Sequence, residues 1–270
     1  VKSRADFDGD GKTDLSVFRP SEGNWYLNRS TAGFTVANWG LSSDLTTPGD
    51  FDGDGKADLA VFRPSSGTWF VLQSATNTAA ILAFGSSGDI PQTGDYDGDN
   101  KADFAVFRPS TNVWYIRNSN DGSVTITAFG AAGDIPVRAD YNNDGKTDIA
   151  IYRNGQWWIA NSGGAVTVTN FGLAGDKPVP ADYDGDNKED VAVYRSGVWY
   201  ILRSTNGAVD IINFGLAADV PVPGDYDGDG KDDEAIYRNG TWWLNRSTAG
   251  VAAVPFGLSS DIPAPSRYIP

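Results

Sequence analysis

The sequence predicts an all-β protein, a six-bladed β-propeller with four antiparallel strands in each blade. Three observations predict this fold. An Asp-rich segment of nine residues occurs six times, at intervals of 42 to 45 residues. Between its copies lie short β-branched and aromatic runs separated by turn-forming residues. No segment spaces its apolar residues as a helix would over ten or more positions. Four short strands in about 40–50 residues are typical of a propeller blade.

The third unit shows the four predicted strands of one blade. Residues 103–108 form a compact apolar run, residues 113–117 are β-branched and aromatic, and residues 124–129 alternate. A short strand at 90–94 precedes the Asp-rich loop. The runs have about the usual strand length of 5–6 residues. They are apolar on both faces, which predicts that neighbouring blades pack face to face.

The end of the chain predicts how the propeller closes. Residues 261–268 resemble the link and first strand of a further unit, with Arg267 where the first loop Asp would stand. We predict that this C-terminal segment supplies the innermost strand of the first blade, beside residues 7–19. Residues 1–4 compete for the same place. We expect the six repeats to form a single domain over residues 1–270.

The Asp-rich loop has the ligand spacing of a calcium site. In the first copy Asp6, Asp8, Asp10 and Asp14 stand at positions 1, 3, 5 and 9, and Lys12 at position 7 can offer its backbone carbonyl. Calcium prefers about six to eight oxygen ligands, and positions 1, 3, 5 and 7 match the start of an EF-hand loop. Positions 4 and 6 are Gly or Asn in every copy, and these residues accept positive φ. The sequence therefore predicts six calcium ions.

The loops start at residues 6, 50, 95, 140, 182 and 225. The corresponding predicted ligands, each Lys by its carbonyl, are Asp50, Asp52, Asp54, Lys56 and Asp58; Asp95, Asp97, Asp99, Lys101 and Asp103; Asp140, Asn142, Asp144, Lys146 and Asp148; Asp182, Asp184, Asp186, Lys188 and Asp190; and Asp225, Asp227, Asp229, Lys231 and Asp233. Because Asn142 carries no charge, we predict that the fourth loop binds calcium most weakly. The alternative to metal sites is a set of solvated Asp-Gly turns.

The formal net charge of −14 comes mainly from these loops. Four carboxylates in each of five loops and three in the fourth account for 23 of the 35 acidic residues. Six calcium ions would bring the charge from −14 to −2. The acidity therefore does not indicate a cationic partner, and no nucleic-acid binding is expected. No apolar run approaches the roughly 20 residues that span a bilayer, so no membrane insertion is expected.

Other residues recur once in every unit. An Asp follows Phe-Gly in the link, with Trp39 replacing Phe in the first unit, at Asp44, Asp89, Asp134, Asp176, Asp219 and Asp261. An Arg ends each second strand, at Arg19, Arg63, Arg108, Arg153, Arg195 and Arg238. A Trp opens each third strand, at Trp25, Trp69, Trp114, Trp157, Trp199 and Trp242, and an aromatic follows it, at Tyr26, Phe70, Tyr115, Trp158, Tyr200 and Trp243.

Two interpretations fit these recurring residues. They form six sugar sites, with Trp as the stacking platform and Arg as a hydrogen-bond donor. Alternatively, Trp packs between blades while Arg stacks on it or pairs with the link Asp. We favour the second interpretation, because a residue needed in every blade usually serves the blade.

The sequence does not predict an enzyme. The chain has no Cys and no His, which excludes thiol and imidazole chemistry. The acidic residues outside the loops and links are Glu22, Asp121, Glu189, Asp210, Asp232 and Glu234. No two of them form an evident carboxylate pair. A unit repeated six times also argues against one unique active site, although calcium itself can act as a Lewis acid.

The loops of type D-x-D-x-D-G-x-x-D, with Phe-Gly in each unit of about 44 residues, resemble the FG-GAP/VCBS repeat family. That family includes the integrin α-subunit head and some fungal and bacterial lectins. The resemblance covers essentially the whole chain and implies a calcium-stabilised propeller with Asp6, Asp8, Asp10, Asp14 and their counterparts as ligands. Gly-Ala-Pro does not follow Phe-Gly here, so integrin-like partner binding is not carried over.

Three functional hypotheses remain open from the sequence. The first is a non-catalytic, calcium-stabilised propeller for adhesion or ligand binding, with a carbohydrate or a surface protein as its partner. The second is a structural spacer domain of a larger surface protein, and the third is a polysaccharide-active enzyme. Bacterial members of the family commonly lie in secreted or surface proteins, so we expect an extracellular, monomeric domain. The residues that contact a ligand other than calcium are not identified by the sequence.

Overall fold

The computed structural model describes residues 5–264. Its twenty-four strands form six four-stranded antiparallel sheets, so the chain is a six-bladed β-propeller, as the sequence predicts. No helix among the described residues is long and apolar enough to cross a membrane.

Each blade has a short first strand, two central strands and a fourth strand at the edge of the sheet. The first three blades contain β24 (Ile262–Pro263), β1 (Leu15–Arg19), β2 (Asn24–Arg29) and β3 (Gly33–Asn38); β4 (Leu45–Thr46), β5 (Leu59–Arg63), β6 (Thr68–Leu72) and β7 (Ala79–Ala83); and β8 (Ile90–Pro91), β9 (Phe104–Arg108), β10 (Val113–Arg117) and β11 (Val124–Ala128). The last three contain β12 (Ile135–Pro136), β13 (Ile149–Arg153), β14 (Gln156–Ala160) and β15 (Val166–Asn170); β16 (Lys177–Pro178), β17 (Val191–Arg195), β18 (Val198–Leu202) and β19 (Val209–Asn213); and β20 (Val220–Pro221), β21 (Glu234–Arg238), β22 (Thr241–Arg246) and β23 (Gly250–Pro255).

The C-terminal segment supplies the short strand of the first blade. In β24, Ile262 lies opposite Phe18 and Pro263 lies opposite Val17. The backbone N–H of Ala264 extends this pairing by donating to the carbonyl of Ser16 at 2.9 Å. The predicted role of this segment is confirmed. The competing residues 1–4, and residues 265–268 of the predicted segment, lie outside the described range.

The Trp that opens each third strand lies in the core of its blade. All six have no exposed surface. Each indole Nε1 donates to the carbonyl of the aromatic in the link, as Trp69 does to Phe84 at 2.8 Å. Five contacts are described in which a Trp ring meets the position-2 aromatic of its own Asp-rich loop edge-on, as Tyr183 meets Trp199 with centroids 6.3 Å apart. These Trp residues therefore stabilise the blades, as the favoured interpretation predicts, and the alternative of Trp sugar platforms is wrong because no ring face is exposed.

The Arg at the end of the second strand pairs with the link Asp. Five such pairs are described: Arg19–Asp261, Arg63–Asp44, Arg108–Asp89, Arg195–Asp176 and Arg238–Asp219. In the third blade, Nε and Nη2 of Arg108 donate to the two oxygens of buried Asp89 at 2.8 and 2.9 Å. The guanidinium carbon lies 4.4 Å from the ring centroid of Tyr115. The predicted Arg–Asp pairing is confirmed, and Arg stacks on the aromatic after the Trp because the Trp itself is enclosed.

A close approach explains the Gly of the Phe-Gly link. Gly172 has a φ of +112°, and a Cβ added to it would lie 2.6 Å from the hydroxyl oxygen of Tyr152. That hydroxyl donates to the carbonyl of Leu173 at 2.6 Å. A side chain at this position would have to displace the Tyr ring from the core.

The blades fall into two compact units of three. One holds the described residues up to Asp134 together with Ser260–Ala264, and the other holds Ile135–Ser259. The single domain over residues 1–270 remains a prediction.

Candidate metal centres

Each Asp-rich loop is closed at its base. In five loops the residue before position 1 forms a β-bridge with the Asp at position 9, as Gly94 does with Asp103. In the first loop the N–H of Asp14 donates to the carbonyl of Ala5 at 2.8 Å. Because the two ends are joined, the carboxylates at positions 1 to 9 are confined to one tight turn.

The spacer residues adopt the backbone conformation that their types favour. All twelve residues at positions 4 and 6 have positive φ, from +59° at Asn143 to +90° at Gly11. This conformation turns their N–H groups toward the Asp at position 1. In the first loop Gly9 and Gly11 donate to the two carboxylate oxygens of Asp6 at 2.6 and 2.8 Å. The same two hydrogen bonds occur in the other five loops.

The Asp at position 9 is the most deeply buried predicted ligand. In the third loop Asp103 accepts hydrogen bonds from the N–H groups of Tyr96 at 2.7 Å and Ser119 at 2.6 Å. Burial raises the pKa of this carboxyl to about 6 in the first four loops. The same cause raises the pKa of Asp190 and Asp233 to about 7. A nearby cation would favour the ionised form of these buried groups.

A Ser that the sequence analysis missed fastens each loop to the turn between the third and fourth strands. Its N–H donates to the position-9 Asp in every loop, from Ser30, Ser74, Ser119, Ser162, Ser204 and Ser247. In five loops its hydroxyl also donates to the position-5 Asp. The constant spacing of 16 residues after position 9 in the first three loops, and 14 in the last three, is the signal that would have identified it.

Carboxylates come together in five loops. Groups of three with oxygens within 4.8 Å of one another are Asp6, Asp8 and Asp10; Asp50, Asp52 and Asp58; Asp95, Asp97 and Asp99; Asp182, Asp184 and Asp190; and Asp225, Asp227 and Asp229. Among the described residues, the fourth loop has no such group. There the Asn142 amide Nδ2 donates to Asp148 Oδ1 at 3.5 Å, and its Oδ1 accepts from the N–H of Asp144 at 2.9 Å. The weaker calcium binding of this loop stays a prediction.

Position 3 provides the test of whether a metal fits. The Oδ1 atoms of Asp8, Asp184 and Asp227 are buried and accept no hydrogen bond. A buried carboxylate oxygen without a partner is costly, and a hard cation supplies that partner. The donors are all oxygens, which suits calcium better than zinc. The residues therefore fit calcium.

The Lys at position 7 contributes more than its carbonyl. Its N–H donates to the position-5 carboxylate, as Lys12 does to Asp10 Oδ1 at 3.0 Å. Three of these side chains, those of Lys56, Lys101 and Lys231, pack over the preceding loop; a Cβ on Gly9, for example, would lie 3.2 Å from Lys56 Cγ. The use of the Lys carbonyl as a calcium ligand stays a prediction.

Backbone hydrogen bonds join neighbouring loops, which sequence reasoning did not reveal. The N–H at position 8 donates to the position-1 carbonyl of the preceding loop in four described pairs: Ala57 to Asp6, Ala102 to Asp50, Glu189 to Asp140 and Asp232 to Asp182. Two of these residues add a carboxylate. Glu189 accepts from the N–H of Asp140 at 3.0 Å, and Asp232 accepts from the N–H of Asp182 at 3.1 Å. Both acids thus serve the loops.

Comparison with known proteins identifies the repeat. The FG-GAP-like repeat matches residues 6–61, 50–106 and 95–151. The chain belongs to the FG-GAP-like repeat family. Each match begins at position 1 of an Asp-rich loop and extends through the following loop, so successive matches overlap. No curated protein sequence matches the chain.

Solved structures share the fold at low sequence identity. A lectin from Agrocybe aegerita, described for its recognition of non-reducing terminal N-acetylglucosamine, superposes with a TM-score of 0.62 at 16% identity, covering 92% of this chain and 77% of the lectin. Virginiamycin B lyase from Staphylococcus aureus gives 0.55 at 10% identity, covering 92% and 85%. BBS1N in complex with ARL6DN gives 0.56 at 11% identity, covering 95% and 82%. These likenesses concern the fold alone.

Proposed function

We propose that the protein is a calcium-stabilised, non-catalytic propeller that binds a carbohydrate outside the cell. The calcium part rests on one observation: the position-3 carboxylates converge with their neighbours while three of their oxygens are buried without a hydrogen-bond partner. When bound, the ion neutralises the crowded carboxylates. The chain's own residues then hold the loop through the position-1 Asp and the Ser of the facing turn.

The proposal that calcium belongs to the fold explains where the loops lie. Each loop leads directly into a central strand that carries buried side chains, and its position-9 Asp pairs with the residue before the loop. Losing the ion would leave several repelling carboxylates at the base of every blade. Extracellular fluid supplies calcium at a level that sites of this kind can use.

A carbohydrate ligand is favoured over other partners by two considerations. The lectin that shares the fold is described as recognising N-acetylglucosamine, and ligand recognition is compatible with a rigid set of blades. The net charge expected with calcium bound is small, so the protein would not strongly attract a charged macromolecule by long-range electrostatics. No catalytic group is proposed, because the loop and link carboxylates are occupied in structural contacts.

A thermal melt tests the calcium part. We expect the melting temperature to fall by well over 10 °C in chelator, to recover with calcium, and to recover poorly with magnesium, which demands stricter geometry. Asp103→Asn should lower the calcium stoichiometry by one ion from six. Asp121→Asn is the matched control, because Asp121 is exposed and bonds only to Ser123. An identical melt in chelator and calcium would contradict the proposal.

A glycan array read in calcium tests the carbohydrate part. Binding to a defined glycan group supports it, and a blank array favours the second candidate, a spacer domain of a surface protein. The burial of the six Trp residues favours that candidate, because these residues stabilise each blade and offer no surface to a ligand. Turnover of a polysaccharide by the calcium-loaded protein would instead favour an enzyme.

A further inference from the structure

The surface between the fifth and sixth blades differs from its repeated counterparts. In every blade the aromatic after the buried Trp lies opposite one residue of the edge strand. That residue is Val36, Ile81, Ile126, Val168 and Ile211 in the first five blades, and Ala253 in the sixth. A methyl group replaces a branched side chain, so the ring of Trp243 is less covered. Trp243 is 36% exposed, and the equivalent aromatic residues in the other five blades are all less exposed.

Trp243 faces the fifth blade, within the unit Ile135–Ser259. It lies directly opposite Ile236 on the neighbouring strand, so the two side chains share one face of the sheet. Ile236 packs against Trp199 and Ile201 of the fifth blade. The face that carries Trp243 is therefore turned toward the fifth blade.

The opposing wall carries an ion pair that the other blades lack. Asp210 lies opposite Ile201 on the edge strand, which places it on the face turned toward Trp243. The equivalent residues elsewhere are Thr35, Ala80, Thr125, Thr167 and Ala252. Arg203 Nε donates to Asp210 Oδ2 at 2.5 Å, and the two side chains are 41% and 32% exposed. Both groups therefore remain accessible to a ligand.

A buried polar pair continues the same face of the sixth blade. Glu234 starts the second strand, where the other blades have Leu15, Leu59, Phe104, Ile149 and Val191. Asn245 lies opposite and donates its Nδ2 to Glu234 Oε2 at 2.8 Å. Burial raises the pKa of Glu234, and the charge of Asp210 adds to this shift. The strand registers place Asp210 and Glu234 on the facing surfaces of the fifth and sixth blades, and we call the space between these surfaces the cleft.

We propose that this cleft, formed by Asp210, Arg203, Trp243, Asn245 and Glu234, binds one neutral sugar residue. The exposed part of the Trp243 indole, beside the guanidinium of Arg238, receives the apolar face of a pyranose ring, since aromatic rings provide a large rigid contact area. Asp210 accepts hydrogen bonds from hydroxyl groups, and Arg203 donates to ring or hydroxyl oxygens. The sugar class rests on the proposed function, whereas the location follows from the cleft itself.

The charges of the cleft favour a neutral ligand over an ammonium group. Asp210 is already compensated by Arg203, and Glu234 is enclosed beside Asn245. The guanidinium carbon of Arg238 lies 5.6 Å from the centroid of Trp243, so a cation over this ring would meet a like charge. A hydroxyl-rich ligand can bond to both members of the ion pair without displacing either.

Residues at the equivalent positions of other blades suggest substitutions that remove the features of the cleft and should leave the protein folded. Ala253→Ile restores the branched cover found in three other blades, and Asp210→Thr restores the residue found in three. Ile211→Ala is the matched control, because it uncovers Tyr200 in the neighbouring blade without touching the cleft. The probes are N-acetylglucosamine, galactose, mannose, glucose and tetramethylammonium, followed by ligand-detected NMR and by quenching of tryptophan fluorescence in saturating calcium.

We expect one or more sugars to bind, and each cleft variant to weaken that binding by at least about tenfold while the control keeps it. The calcium-dependent melt should be unchanged in all three variants. Equal sugar binding by all variants would overturn the cleft and leave the carbohydrate function intact. Preferential binding of tetramethylammonium at the cleft would overturn the sugar class. If the unaltered protein binds none of these sugars and no glycan on the array, both proposals are overturned.

Discussion

Replacing Asp89 by Asn in the third blade tests whether the Arg–Asp pairs support the blades. The Asp89 side chain has no exposed surface, and the side chain of Arg108 is 25% exposed. The carboxylate receives two charge-assisted hydrogen bonds from Arg108 and one from the N–H of Ser86, at 2.8 Å. The substitution keeps the shape but leaves a guanidinium beside an uncharged amide.

Breaking one member of a buried pair costs about 3–5 kcal/mol. Because Arg108 keeps part of its hydration and its contact with Tyr115, we expect a loss near the lower end, about 3 kcal/mol. The free energy of unfolding, measured by urea titration in saturating calcium, provides the value. Asp121→Asn is the control and should leave the urea midpoint unchanged. A loss below about 1 kcal/mol for Asp89→Asn would refute the reasoning, because it would mean that the pair only matches the cost of its own desolvation.

Three further predictions concern the loops and the link. Asn142→Asp should raise the calcium affinity of the fourth loop, which we predict to be the weakest, several-fold. Calorimetric titration should then show the loss of the weakest binding step, and an unchanged isotherm would contradict the prediction. Gly172→Ala should lower the free energy of unfolding by about 2–4 kcal/mol, because the added methyl group meets the Tyr152 hydroxyl at positive φ. If the clash with this hydroxyl is the cause, the double variant Gly172→Ala, Tyr152→Phe should recover stability. A double variant as unstable as Gly172→Ala would contradict that cause. Calcium-free protein should become more stable as the pH falls from about 8 to 5. Burial raises the pKa of Asp190 and Asp233 in the folded protein above the value in the unfolded chain. Their protonation therefore stabilises the folded state at low pH, and this stabilisation is lost as the pH rises through about 7. With calcium the sign should reverse, because protons compete with the ion; thermal melts at several pH values measure both slopes.

The repeat made most of the fold predictable from the sequence. The strand predicted at 113–117 coincides with β10, and the run at 103–108 differs from β9 by one residue. The short strand predicted at 90–94 is limited to β8, because only Ile90 and Pro91 continue the ladder before the chain turns into the loop. Periodicity locates these elements because each blade repeats the same choice between strand and turn.

The contacts between elements were harder to predict. The loop Asp residues were evident from spacing, but the Ser that bonds to them lies 14 or 16 residues away on another turn. The exposure of Trp243 in the cleft depends on the small side chain of Ala253. The sequence does not indicate this effect, because it does not show that Ala253 lies opposite Trp243. Asp210 and Glu234 are 24 residues apart and come to lie on the facing surfaces of two blades, which no local pattern indicates.

The hydrogen bonds between successive loops would make the proposed calcium binding cooperative. The N–H of Asp232 donates to the carbonyl of Asp182 in the preceding loop at 2.7 Å, so an ion that held the loop at Asp182 would also fix this acceptor. The Asp232 carboxylate also holds the N–H of Asp182, so each loop orders the backbone of its neighbour. Linear arrays with such nearest-neighbour coupling respond to a ligand more steeply than isolated sites of equal affinity. Within each run of three blades, the protein should therefore switch between loose and rigid states over a narrow range of calcium concentration.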